Sequence, residues 1–403
     1  MASSDAIENI EVNHGESVVK GAPNTGPQFT FLQPLVQRVR TPPVAPLPQQ
    51  ELDWRSGVVV RSPNWMGDCL IALPALYKLR RLLPPTKGLF VLCKHRLAPL
   101  WRSVSWVDKV VPFRGGRTAG ASADAIRALN PGVALVLPNS FGAAFDLWNL
   151  GIPLRVGRSG RWRRMMLTHT LPPLWHTMHP GLCHQLSESL ELVSLFGEVA
   201  WDAECPPLQV PVSPAVLAKF GLPPPEEAEA KPLLALAPGA AFGVAKQWSP
   251  AGFRAVARWW TEQGGIAVAL GTKKEARTCA EVAEGNPACL NLAGRTSVRE
   301  LMQVLASCRL AAANDSGILH LASALGVPGV GIYGCTDPVG TGPLGGNWVV
   351  LMEKLGCAPC FQRTCQLTAA DCLGLRQIPA ALVCEALEFV LKNTPARRTE
   401  DSP

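Results

Sequence analysis

Twice along this chain, short runs of apolar and β-branched residues alternate with segments of helical spacing, and this repeated rhythm constrains the fold most. In the first half, GVVVRS from Gly57, LFVLC (89–93), KVVPF (109–113) and VALVLP (133–138) predict strands. Helices are expected near 121–129 and 181–196, and over 68–82, where Leu70, Leu73, Leu76 and Leu79 share one face. Pro74 inside that segment predicts a kink or a late start. The second half repeats the pattern with strands at 233–237, 265–270, 288–292, 310–314 and 329–333. Its helices are expected near 250–263, 273–284, 297–306 and 317–325. Strand and helix alternating at this spacing mean an α/β fold, with parallel sheets covered by helices on both faces.

A chain of 403 residues suits two domains of about 150–200 residues each. Residues 1–52 include PLVQRVRTPPVAPLPQQ, a Pro- and Gln-rich stretch without period, and are expected to be a disordered tail. The first domain is then expected at 53–210 and the second at 233–378. A linker at 211–232 joins them, where Pro, Ala and Glu dominate. With 47% hydrophobic and 17% charged residues, the chain can bury sizeable cores. MASSDAIENIEV carries no basic-then-apolar export signal, and no run of about 18 apolar residues occurs. An intracellular protein is therefore expected, its thirteen scattered cysteines reduced thiols.

The net charge of +7 is too mild for a nucleic-acid partner, but its distribution is uneven. Between Leu147 and Ser187 no acidic residue occurs, while Arg155, Arg158, Arg161, Arg163 and Arg164 all fall there. That clustering points to an anionic partner.

In open α/β sheets ligands gather at the carboxyl ends of strands, so the loops there carry the candidate chemistry. The first, SPNWMGD, brings Asp68 to the start of a helix. An aspartate there is a common helix cap, and the alternative is a general base pointing into the cleft. The helix N-terminus favours its charged form and lowers its basicity, which proton removal concerted with bond making tolerates. The second, APGAAFGVAKQWSP, combines small residues, whose N–H groups can approach an anion, with the charge of Lys246. It lacks the Gly-Lys-Ser/Thr ending of a Walker loop. The third, NDSGILHLAS, leaves free N–H groups at Ser316 and Gly317, a ready phosphate site, with His320 one turn further on.

No G-x-G-x-x-G opens either half, which disfavours a dinucleotide oxidoreductase. No Asp-x-Asp pair exists to hold Mg²⁺ or Mn²⁺ against a diphosphate, so Lys246 and a helix start would carry that charge. Cys357, Cys360, Cys365 and Cys372 could bind zinc or an iron–sulfur cluster. Their spacing is irregular for either, and a reduced cysteine-rich loop is favoured. His169, His176, His179 and His184 are read as a surface cluster beside the arginines.

Together RSPNWMGDCLIALPAL, APGAAFGVAKQWSP, NLAGRTSVRELMQVLASC and AAANDSGILHLASALGVPGVGIYGCTDP resemble, in order and spacing, the ADP-heptose glycosyltransferases of lipopolysaccharide core assembly, glycosyltransferase family 9. The resemblance spans roughly residues 57 to 390 and leaves 1–52 outside. It implies a GT-B fold: two Rossmann-like domains facing across a cleft, with a final helix at 379–392 crossing back to the first. It implies inverting, metal-independent heptose transfer from ADP-heptose to the lipid A inner core, without a cofactor. By motif, Asp68 would be the base and Lys246 would neutralise the departing diphosphate. Gly239, Ala240, Asp315, Ser316, Gly317 and His320 would hold the donor, and Glu275 is similar in position to a ribose-contacting acid. The anionic acceptor, at the cytoplasmic face of the inner membrane of a Gram-negative-type bacterium, would meet Arg161, Arg163 and Arg164. The alternatives are a related transferase with another sugar or acceptor, and a non-catalytic nucleotide-sugar-binding scaffold.

Overall fold

The computed structural model describes residues 35–38, 43–173, 181, 183–227, 229–353, 355–368 and 371–395. Its first sheet contains β1 (Gly57–Arg61), β2 (Gly88–Lys94), β3 (Lys109–Phe113), β4 (Val133–Val136), β5 (Leu154–Arg158) and β6 (His169–Leu171). They are parallel and ordered β3-β2-β1-β4-β5-β6. The second holds β7 (Leu233–Ala237), β8 (Ile266–Ala269), β9 (Cys289–Asn291), β10 (Cys308–Asn314), β11 (Gly329–Tyr333) and β12 (Trp348–Met352). These too are parallel, ordered β12-β11-β10-β7-β8-β9. Counted from its own first strand, each sheet runs 3-2-1-4-5-6, the doubly wound order. Each therefore opens a crevice where the order reverses, between β1 and β4 and between β7 and β10.

The central strands are mostly apolar because helices cover both faces. Every residue of β1, β4, β7 and β11 is buried. Alternate side chains of β1 enter different cores: Val58 and Val60 join Leu89, Val91 and Leu135, while Val59 joins Phe90, Leu92 and Val136. The edge strands β6 and β9 are only three residues long, which limits unpaired edge. The late helix start expected from Pro74 is present: one helix covers Met66–Ile71, and after Ala72 a second covers Leu73–Leu82 with Pro74 in its first turn.

Three expectations on organisation need correction. The end of the Pro-rich segment is packed, not free. Leu47 N–H bonds the Leu195 carbonyl, Gln49–Glu51 forms a 3₁₀ turn, and Leu52 is buried. The expected linker is held too: it contains a helix, Pro214–Lys219, and Ser213 N–H donates to Gln303 Oε1. The helix Ala380–Lys392 does not cross back to the first domain. Its stripe Val383, Ala386, Leu387 and Val390 packs into the second domain's core with Phe253, Val256 and Val330, where an apolar face of that spacing finds its burial. Contacts between the domains include residues 181 and 183–185. Gln185 N–H bonds the Gly340 carbonyl at 2.8 Å, His184 Nε2 bonds the Gly342 carbonyl at 2.9 Å, and Gly181 N–H reaches Asp337 Oδ2 at 2.7 Å.

Candidate active site

The loop after β1 delivers Asp68 to the third position of the helix Met66–Ile71. Trp65 occupies the cap position and makes no side-chain cap bond, so Asp68 is not the cap. Its Oδ1 lies 3.5 Å from Gln185 Nε2. It faces a cavity of about 400 Å³ shared with Asn64, Asn139, Arg161, Gln185 and Glu188. The loop beneath is fixed by Arg61, whose guanidinium bonds the Ser62 carbonyl at 2.5 Å and Asn64 Oδ1 at 3.2 Å.

In the second domain the loops after β7 and β10 meet. Lys246 ends a 3₁₀ turn, Val244–Lys246, and its Nζ lies 2.5 Å from Asp315 Oδ2. Thr336 Oγ1 donates to the same oxygen at 2.7 Å, and His320 Nε2 stands 3.7 Å from Asp315 Oδ1. Burial pushes the Asp315 carboxyl up, but Lys246 and His320 outweigh it and hold the group well below the usual carboxylate range. Asn314, fully buried, joins the loops: Oδ1 accepts from Trp248 N–H at 3.0 Å and Nδ2 donates to the Pro238 carbonyl at 2.7 Å. Ser316 caps the helix Gly317–Ala324 by position only. Its Oγ is buried without a hydrogen-bond partner, beside the helix's own unpaired N–H groups.

Gly239 and Glu275 also come together. A Cβ on Gly239 would stand 2.1 Å from Glu275 Oε1, so only glycine admits that carboxylate. The other oxygen, Oε2, is engaged in a capping box, accepting from Thr272 N–H at 2.6 Å and Thr272 Oγ1 at 2.8 Å. Ala240 is buried next to them, its carbonyl accepting from Gln247 Nε2.

The two half-sites touch through glycines. A Cβ on Gly317 would lie 3.0 Å from Met66 Cε and 3.7 Å from Gly67 N, and one on Gly67 would lie 3.0 Å from His320 Cδ2. The Asp68 helix thus packs directly on the start of the Ser316 helix.

The arginine patch does not hold together. Arg163 is fully buried, its guanidinium donating to the Pro138 carbonyl and to Asn139 Oδ1, and therefore faces no acceptor. Arg158 is buried against Glu191 at 3.1 Å, and Arg155 is half-buried on the Met166 carbonyl. Arg161 and Arg164 remain exposed, and Arg161 lines the Asp68 cavity. The histidine cluster is corrected as well. His184 is fully buried at the domain contact, His169 pairs with Glu51 at 3.2 Å, and His176 and His179 lie outside the described residues.

Cys357, Cys360, Cys365 and Cys372 line one small cavity with Cys335. Among the described residues no three His, Cys, Asp or Glu side chains form a group that could hold a metal ion. Burial pushes the Cys335 thiol up to about 12, while the Leu373, Leu367 and Thr368 N–H groups lower that of Cys365. Of the residues the sequence reading missed, Asn314 and Thr336 lie inside quoted motifs and carried a local signal. Gln185 carried none, since it reaches Asp68 from 117 positions away.

Two doubly wound domains, each with its polar loops at the reversal point and an anion-ready helix start in the second, define a GT-B architecture. The model of glycosyltransferase family 9 (heptosyltransferase) matches residues 121–370. Lipopolysaccharide heptosyltransferase 2 of Salmonella typhimurium is 28% identical over 306 residues, 71% of this chain and 85% of its own. Lipooligosaccharide heptosyltransferase 2 of Haemophilus influenzae is 25% identical over 310 residues, 71% and 86%. Among solved structures, the E. coli ADP-heptose lps heptosyltransferase II superposes with a TM-score of 0.70 at 25% identity, covering 83% of this chain and 98% of that one. The chain belongs to glycosyltransferase family 9 and is an enzyme of the heptosyltransferase II type. No helix among the described residues is long and apolar enough to cross a membrane.

Proposed function

We propose that this enzyme transfers heptose from ADP-L-glycero-D-manno-heptose to the heptosyl-Kdo2-lipid A inner core, with inversion and without a metal ion. Asp68 removes the proton from the acceptor hydroxyl as its oxygen attacks the anomeric carbon. The bond from that carbon to the donor's phosphate oxygen breaks on the opposite face, and ADP departs with the bonding electrons. Lys246 and the N–H groups at Ser316 and Gly317 stabilise the charge that develops there. Gly239, Ala240 and Glu275 flank the nucleoside, and His320 with Asp315 orients the Lys246 end. Arg161 and Arg164 meet the anionic acceptor at the cytoplasmic face of the inner membrane.

The observation that carries this reading is the orphaned, buried Ser316 Oγ at a helix start, 2.5 Å-paired Lys246–Asp315 beside it and the Asp68 helix packed against it. Metal independence is supported by the fixed positive charge of Lys246 and by the absence of any Asp-x-Asp pair in the sequence. The test is incubation with ADP-heptose and defined core acceptors, with and without chelator, products being identified by mass. A heptose added in both conditions is the expected result. ADP-heptose binding without turnover of any acceptor would instead indicate a non-catalytic binding protein.

A further inference from the structure

Seven large apolar side chains are exposed among the described residues, and four of them, Phe141, Trp148, Trp162 and Met165, lie between positions 141 and 165. Scattered exposed apolar residues need no explanation, but a cluster does. On the helix Phe141–Asn149, Phe141, Phe145 and Trp148 share one face. Their ring centroids follow one another at 6.2 Å and 5.6 Å. The opposite face, Ala143, Ala144 and Leu147, is in the core. The 3₁₀ turn Arg164–Met166 packs against this helix, and buried Arg163 ties the loop before it to Pro138 and Asn139.

That loop holds Trp162 87% exposed and Met165 77% exposed. Arg161 and Trp162 both have left-handed backbone, φ 49 and 60, which two successive non-glycine residues seldom adopt. Strain of that kind persists only where the surroundings impose it, and here it turns an indole outward. The charged residues between Leu147 and Ser187 are all arginines. Arg161 and Arg164 are exposed, and Arg117 stacks 4.3 Å over Phe145. The helix's Asp146 is buried and bonded to Thr118 N–H, and no acid follows until Glu188. Arg161, Asn139 and Ser140 of the same region also line the Asp68 cavity.

We propose that this face is a docking surface for an anionic phospholipid bilayer. Trp148, Trp162 and Met165 enter the boundary between headgroups and acyl chains, and the arginines meet lipid phosphates with their stems along the apolar layer. Docked this way, the protein presents the Asp68 cavity at the membrane surface. The inference rests on the reading above in taking the acceptor to be lipid-borne.

The test is co-sedimentation of the purified full chain with phosphatidylcholine vesicles with and without phosphatidylglycerol. It is run at about 0.1 and 0.5 M salt, next to a triple variant Trp148→Gln, Trp162→Gln, Met165→Gln. The wild type should bind the anionic vesicles and release at high salt, and the variant should bind at least about tenfold more weakly. Melting temperature and transfer to a delipidated acceptor should be unchanged in the variant, since none of these three side chains is in the core or the cavity. Equal vesicle binding by wild type and variant, or no binding by the wild type, would overturn the proposal. So would a wild-type dimer that the variant dissolves, because the patch would then be covered by a second copy. Vesicle binding needs no sugar transfer, so an inactive but lipid-docking protein would count against the proposed reaction alone.

Discussion

Lys246 Nζ sits 2.5 Å from Asp315 Oδ2, so the cation we propose for the departing diphosphate is already held by a buried carboxylate. The pair fixes the lysine's position in advance, which is how a charge acts on a transition state without reorganising. Lys246→Ala is expected to lower kcat/KM about 10²–10³-fold. It should also destabilise the fold by about 3 kcal/mol, because Asp315 is left buried without its main partner. Steady-state kinetics and urea unfolding of the same variant separate the two effects, and Lys246→Arg should recover more stability than activity.

The Gly239–Glu275 contact makes a paired prediction. Gly239→Ala drives a methyl group into the Glu275 carboxylate, which Thr272 holds in place, and should cost about 1–3 kcal/mol. Adding Glu275→Ala removes the obstacle, so the double variant should be more stable than Gly239→Ala alone. Thermal melts of the wild type, both single variants and the double variant measure this.

Arg163 and Arg164 are neighbours with opposite fates. Arg163→Ala should cost about 2–3 kcal/mol, because it leaves the Pro138 carbonyl and Asn139 amide without their buried partner. Arg164→Ala should leave stability within about 0.5 kcal/mol and weaken acceptor binding in a salt-dependent way. Chemical denaturation and acceptor titrations at two salt concentrations check both.

Acid should expose a further contribution. A side-chain hydrogen bond from Lys219, with the Ser297 N–H and hydroxyl, brings the Glu300 carboxyl down to about 2. A depressed carboxyl stabilises above its unfolded value of about 4.3, and that contribution is lost as pH falls through the folded value. Glu300→Gln should therefore melt below the wild type at pH 6, and the gap should close towards pH 2.

The rhythm of apolar runs made both sheets legible, because central parallel strands are buried on both faces and leave continuous runs such as Val58–Val60 and Leu233–Ala237. β5 was missed because LRVGR has no such run. Its Arg158 is buried on Glu191, a partner that only the fold brings near, and Arg155 is half-buried. β12 was missed although WVVLM is such a run. The loops holding Asp68, Lys246 and Asp315 were readable as strand-to-helix junctions. The arginine patch was not, since counting charges cannot tell Arg163, 24 positions from Asn139 and bonded to it, from exposed Arg161. The destination of the last helix, likewise, was set by which apolar surface its stripe could cover.

The central claim is that Asp68 is the base, presented by a helix packed on the donor-holding helix. Heptose transfer by purified Asp68→Ala, followed by product mass alongside ADP binding, tests it most directly. A fall in turnover of about 10²–10⁴-fold with ADP affinity retained is the predicted result. Turnover at the wild-type rate would contradict it.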